Sequence, residues 1–220
     1  MMTNFLDPIL ISLKISLVAS LLVTVLGITI SRLMAGRKFR GKSIIDTIIM
    51  LPLVLPPSVV GFMLLVLFGA SSPIGQWIES IFRHPLVFTW QAGVIAASVV
   101  AFPLMYQSAK VGFEAVDHDI EDAARVDGAD GWTVLRMISI PLASNALISG
   151  IILSFARALG EFGATLMFAG NLPGKTQTMP TAIYVAIDSG QMHLAWAWVI
   201  VTILLSTVML FLSYRVTVKM

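Results

Sequence analysis

Five long apolar runs constrain this chain more than any other feature. They cover residues 9–33, 44–68, 89–106, 142–169 and 195–214. About 20 such residues suffice for a helix to cross the hydrocarbon core of a bilayer. None of the runs alternates with period two, which argues against a transmembrane barrel. Charged residues make up only 12% of the chain and mean hydropathy is +0.91, whereas soluble domains carry about 25% charged residues. The expected fold is an all-α membrane protein with five transmembrane helices, forming a single domain over residues 1–220. The net charge of +2 is small and the basic residues are clustered, so nucleic acid is not an expected partner. There is no cysteine, which excludes disulfides and thiolate metal sites. His84, His118 and His193 lie far apart and show no ligand spacing.

The charges set an orientation. Arg32, Arg37, Lys38, Arg40 and Lys42 lie between the first two runs. Lys110, Arg125 and Arg136 belong to the central polar loop, and Arg215 and Lys219 follow the last run. The other two loops hold only Arg83 and Lys175. The positive-inside rule places the larger group in the cytoplasm. The N-terminus is then outside and the C-terminus cytoplasmic. The first run has no basic segment before it and no small-residue cleavage site, so it reads as a retained anchor rather than a signal peptide. Lys14, near its outer end, is expected to snorkel toward the headgroups.

Residues 36–43 read GRKFRGKS, matching the phosphate-binding pattern GxxxxGK[ST] letter for letter. That chemistry needs a strand before the loop and an α/β domain around it. Here an apolar helix precedes the loop and another follows. The segment reads as a basic cytoplasmic loop, and ATP must be handled by another chain.

The polar stretch 118–141 reads HDIEDAARVDGADGWTVLRMISIP between two apolar runs. Asp117, Asp119, Glu121 and Asp122 crowd the start of a short helix, where carboxylates complement the N-terminal dipole. Ala123 and Ala124 leave room for another surface to approach. Gly128 suits the helix stop. Asp130 can cap a second helix from about Trp132, with a stripe of Trp132, Leu135, Ile138 and Ser139. Pro141 ends it or opens the next span.

Two runs carry further signals. The second contains Leu51-Pro52-Leu53-Val54-Leu55-Pro56-Pro57-Ser58, whose prolines leave carbonyls without donors. Such backbone favours a site against protein or a water-filled path over one facing lipid. The fourth contains Arg157 and Glu161, four apart and expected on one helical face. A lone arginine there would cost about 2.5–3.5 kcal/mol, so they should pair, either structurally or as an anion-sensing gate. Gly150, Ser154 and Ala158 form a stripe suited to close helix contact.

The Glu121-Asp122-Ala123-Ala124 segment, with Gly128, Ile138, Ile140 and Pro141, resembles the coupling loop of ABC importer permeases. Asp122 stands just before the alanines and Glu121 one residue earlier, so either could take the family's glutamate role. LPLVLPPSVVGF (51–62) and FARALGEFGATLMFAGNLPGKTQTMPTAIY (155–184) are similar to the oxyanion branch, and GEFGAT and NLPGKTQT are most like molybdate permeases. The resemblance implies a type I ABC importer permease fold in the cytoplasmic (inner) membrane of a prokaryote. It implies a second permease copy, two ATPase subunits binding ATP and Mg, and an extracytoplasmic oxyanion-binding protein. No cofactor, metal or catalytic residue is expected on this chain. The coupling loop, at about 111–141, would use Glu121, Asp122, Ala123, Ala124, Gly128 and Pro141. Pro56, Pro57, Ser58, Arg157, Glu161 and Thr165 are candidates for the pathway or gate. Asn171 and Lys175, in the outer loop 170–177, are candidates for binding-protein contact. Sulfate, thiosulfate or tungstate transport by the same machinery stays open, as does a self-contained secondary transporter with Glu161 at its ion site.

Overall fold

Small residues decide which helices meet. A computed structural model describes residues 5–218, with side chains through residue 211; Arg215, Lys219 and the end of the fifth run, as far as side chains go, lie outside the described residues. The first helix, α1 (Asp7–Met34), buries Ser12, Ser16, Ala19, Ser20, Val23, Gly27 and Ser31 along one face. It packs there against α5 (Trp90–Glu114), which buries Ala97, Ala101, Met105 and Ala109. A methyl group on Gly27 would sit 2.6 Å from the Met105 side chain. Helix α9 (Ser144–Leu159) completes this core: Gly150, Ser154 and Ala158 are buried, and a Cβ on Gly150 would lie 2.9 Å from that of Ser108. The expected stripe is therefore a packing face. Inside a bilayer, association rests on such close van der Waals contact, because lipid tails are as apolar as the side chains.

The second run is not one straight helix. It divides into α2 (Lys42–Val54) and α3 (Pro57–Phe68), bent by 112° at the break. Leu55 and Pro56 are extended, and Pro57 opens the new helix at the position that needs no donor. The fourth run is also broken, by a stop after Leu159 and a restart in α10 (Gly163–Ala169). Upstream, the stretch ending at Leu142 meets α9 at 74°. Helices α1, α5 and the apolar part of α12 (Met192–Val218) are long enough to cross a membrane alone; the two bent pairs raise the number to five if each is one span. Short helices α4 (Pro73–Phe82) and α11 (Met179–Asp188) were not expected. Helix α5 runs past the expected 106 to Glu114.

The remaining pieces seat on this frame. Helices α3 and α10 cross tightly and pack on α5 through Val60, Leu64, Ala92, Ala96, Ala164 and Phe168. Helix α11 meets α1 where Ser12 Oγ accepts the Met179 N–H at 2.7 Å. Trp198 of α12 donates its indole N–H to the Phe5 carbonyl at 3.0 Å. Helix α2 buries no residue and is held to α5 by charge: Asp46 to Lys110 at 2.7 Å and to the Tyr106 hydroxyl, and Lys42 to Glu114 at 3.6 Å. Lys14 rests its ammonium 3.7 Å from the Trp90 ring centroid, so it has a fixed aromatic partner as well as access to solvent.

The α3–α10 crossing gives a direct test. A Cβ on Gly61 would stand 2.8 Å from the Ala164 Cα, which is backbone and cannot yield cheaply. Gly61→Leu should lower stability by about 1–3 kcal/mol, the usual cost of overpacking. Thermal unfolding of the detergent-solubilised chain measures it, and an unchanged transition would refute the tight crossing.

Candidate functional site

The polar stretch folds as two helices around one buried carboxylate. Helix α6 (His118–Val126) starts at Asp117, whose side chain accepts the Asp119 N–H at 3.0 Å. It stops at Gly128, where φ is +94°; that left-handed turn suits glycine. Asp130 caps α7 (Gly131–Val134) by accepting the Thr133 N–H at 2.8 Å. Both caps and the glycine stop fall where the sequence placed them. The chain then winds through a π-helical turn, Leu135–Ser139, into α8 (Ile140–Leu142), with exposed Pro141 in its first turn. The π turn changes the register. Val134 and Ser139 point inward, whereas Trp132, expected on the same stripe, is 66% exposed.

Glu121 ties this segment to the rest of the chain. Its carboxylate is 3% exposed and lies 2.9 Å from Nη2 of Arg32 on α1. It is 3.2 Å from Arg125 Nη2, and it accepts the Ser139 hydroxyl at 2.6 Å. One side chain thus joins α1, α6 and the π turn. Burial pushes its pKa up, but Arg32, Ser139 and Arg125 outweigh this and hold it below the ordinary glutamate value. Asp122 points out and pairs with Arg125. The two acidic residues that the sequence left interchangeable therefore differ: Glu121 faces in and Asp122 faces out. Sequence reasoning did not single out Arg32 and Ser139. Arg32 was counted only as a topology charge, and Ser139 only as part of a stripe.

The outward side of the segment is small and apolar. Asp122 and Ala123 are exposed, Ala124 is half-buried, and Ile120 and Val126 are 47% and 88% exposed. Among the described residues, none other than its chain neighbours lies within 4 Å of a Cβ built on Gly128. A face of this kind beside an internally braced carboxylate is suited to receive another protein.

The two helix breaks meet. A Cβ on Gly163 would lie 3.0 Å from that of Pro57 and 3.2 Å from the Ser58 nitrogen. Pro56 and Ser58 are exposed and Pro57 is half-buried at this bend. Beside it, Arg157 Nη1 is 2.7 Å from Glu161 Oε2, with Glu161 almost fully buried. The pair forms as expected, but not on one continuous helix, because α9 ends between them. Glu161 Oε1 instead accepts the Ala164 N–H at 2.8 Å and closes the start of α10. The contact to Arg157 is made by distance without an aligned N–H on Oε2. Thr165 is buried inside the chain. In loop 170–177, Leu172 O gathers the N–H groups of Lys175, Thr176 and Gln177, leaving Lys175 exposed and Asn171 half-buried. The GRKFRGKS segment leaves helix α1 rather than a strand, which removes the context a phosphate loop requires.

Several long apolar helices, two sharp breaks in the helical path and a braced polar segment with an open face define a multi-pass membrane protein. The family model described as "Binding-protein-dependent transport system inner membrane component" matches residues 27–220, and the chain belongs to that family of inner-membrane permeases. It is 58% identical over 209 residues to a provisionally named molybdenum transport system permease protein, YvgM, of Bacillus subtilis (strain 168), covering 95% of this chain and 92% of that one. It is 43% identical to the molybdenum transport system permease protein ModB of Escherichia coli (strain K12), covering 83% of this chain and 80% of the relative. Among solved structures, the inward-facing MetNI methionine ABC transporter matches at a TM-score of 0.71 and 13% identity, over 98% of this chain and 95% of that one. A bacterial ABC transporter importing alginate matches at 0.73 and 15%, over 98% and 79%. At these identities the structures speak for the fold, a type I ABC permease fold.

Acid should loosen the segment around α6. Glu121 has a lowered folded pKa, so its stabilisation is fully present above the ordinary glutamate value. It is lost as pH falls through the lowered folded value. Hydrogen exchange across α6, corrected for intrinsic rates, should rise on acidification, and Glu121→Gln should show high exchange already at pH 7. The loss should lie near the lower end of the ~3–5 kcal/mol typical of breaking a buried pair, since both guanidiniums keep some contact with water. Equal protection in both proteins at pH 7 would refute the brace.

Arg157 and Glu161 should act as one unit. Glu161→Gln should lower assembled protein, and Arg157→Gln added to it should restore part of the loss if the pair is structural. If Arg157 touches the passing anion, the double variant should fold yet transport poorly. A double-mutant cycle on both assays separates these outcomes. Additive effects in both would mean that the residues do not interact.

Proposed function

We propose that this chain is the permease subunit of an ATP-driven importer that carries molybdate across the cytoplasmic membrane. The observation that carries the reading is the coupling segment: Asp122, Ala123, Ala124, Val126 and Gly128 turned outward over a buried Glu121 brace. The names of the relatives that are 58% and 43% identical point to molybdenum. A sulfate transport system permease protein, CysW of Synechococcus elongatus, is more distant at 31%. Sulfate, thiosulfate or tungstate carried by the same machinery is therefore the second reading.

In this proposal α2 with α3, and α9 with α10, are interrupted spans, giving five in all with α1, α5 and α12; the N-terminus is outside and the C-terminus cytoplasmic. A second copy of the permease completes the pathway. Two ATPase subunits bind ATP and Mg and receive the coupling segment, which includes Pro141. An extracytoplasmic binding protein delivers the oxyanion and touches Asn171 and Lys175. The contact between Pro57 and Gly163 makes Pro56, Pro57, Ser58, Arg157 and Glu161 one candidate gate, with Thr165 behind it. ATP binding closes the ATPase dimer, the coupling segment moves, and the gate opens outward; hydrolysis reverses this. A secondary transporter is disfavoured because Glu161, its candidate ion site, is already engaged by Arg157 and the Ala164 N–H.

Reconstitution with the ATPase and binding protein tests the proposal: loaded binding protein should stimulate ATP hydrolysis, with molybdate preferred to sulfate. Gly128→Trp adds bulk where no described residue beyond its chain neighbours comes within 4 Å. It should insert normally yet lose ATPase co-purification or stimulation. Gly128→Asn, which tolerates the left-handed turn, should keep both. Normal coupling in the tryptophan variant would refute the docking assignment.

A further inference from the structure

The cytoplasmic half of α1 carries a groove that the proposed transport cycle does not use. Its walls are Thr24, Val25 and Ile28 on one side and Trp132, Leu135 and Ile140 on the other, enclosing about 390 Å3. The groove opens into a second cavity of about 370 Å3, with which it shares Arg32, Leu33 and Leu135. Arg37, Arg125 and His118 border that cavity beside Arg32, against one carboxylate, Glu121. Glu121 is engaged by Arg32 and Arg125. Arg37 has no carboxylate partner among the described residues. Toward the other end, Thr24 also borders an apolar cavity of about 690 Å3 between α1, α9 and α12.

The dimensions and charge are those of an amphiphile. Thr24 to Arg32 spans about 12 Å of helix rise, close to the ~15 Å depth of one bilayer leaflet. The apolar slot ends at exposed Trp132, a residue type that favours the membrane–water interface. Beyond it lies surplus positive charge, and basic pockets between helices on the cytoplasmic side recruit anionic headgroups. We propose that this groove binds an anionic phospholipid of the inner leaflet, with its phosphate at Arg37 and His118 and one acyl chain along α1. The orientation rests on the permease reading above. The bound lipid would brace the junction at which Glu121 holds the coupling segment.

The full-length chain, purified in detergent, is offered equal amounts of phosphatidylglycerol and phosphatidylcholine with identical acyl chains, and native mass spectrometry counts what is retained. Phosphatidylglycerol should be retained about fivefold in excess, as expected for roughly 1 kcal/mol per basic residue at a membrane surface. Arg37→Gln should bring the ratio close to one, and Arg37→Lys should keep most of it. Thr24→Trp, which fills the slot, should lower phosphatidylglycerol retention, and excess glycerol phosphate should not displace the lipid. No preference in the unaltered chain overturns the proposal, even if a variant fails to fold. Displacement by glycerol phosphate with no effect of Thr24→Trp would make it a free-anion site and also overturns it. So does Arg37→Gln acting only on ATPase co-purification, which would turn the basic cavity toward that subunit. Each of these failures leaves the importer reading intact, because ATPase stimulation tests that reading separately.

Discussion

A backbone that leaves the helical path inside hydrocarbon must find its hydrogen-bond partners within the protein. The arrangement around the two breaks follows from this requirement. Pro57 removes a donor where none is needed, Glu161 supplies an acceptor to the Ala164 N–H in the first turn of α10, and Gly163 and Gly61 let the two restarted helices touch. Neither break could sit alone facing lipid. Packed together on the alanine face of α5, they shield each other's termini. The same small residues that permit this contact leave little room for adjustment, which concentrates the chain's irregular backbone in one place.

Charge does at the end of the bundle that holds α2 and α6 what small residues do in the middle. Helix α2 lacks a buried face, and its links to α5 are Asp46 with Lys110 and Tyr106, and Lys42 with Glu114. The α6–α7 segment depends on Glu121 in the same way. Salt-linked elements exchange partners with less disturbance than interdigitated ones. The rigid core of α1, α5 and α9 is thus flanked by elements whose attachments are polar.

The apolar runs, the caps at Asp117 and Asp130 and the stop at Gly128 were legible in the sequence, because each depends on residues adjacent in the chain. The Arg157–Glu161 pair was legible for the same reason. The 112° bend at Pro56-Pro57 was visible only as a proline cluster, since its angle is set by what α3 packs against. The break after Leu159 carried only Gly160 as a local mark. Ser139 leaves the stripe it was expected to share with Trp132 because the π turn between them shifts register without a sequence signature. Arg32 as the partner of Glu121 lay beyond reach, since tertiary packing alone brings the two residues together. The distinction between Glu121 and Asp122 had to wait for that packing.

The Arg32–Glu121 link spans 89 residues of sequence. Helix α6 is therefore held in shape by α1, far upstream in the chain, and by Ser139 downstream of it. A growing polypeptide can form α6 early, but it cannot fix that helix in place until the π turn has been made and the first span has taken its position. Until then α6 is a helix with nothing behind it. The carboxylate thus ties the final placement of α6 to completion of the core that α1 helps to form.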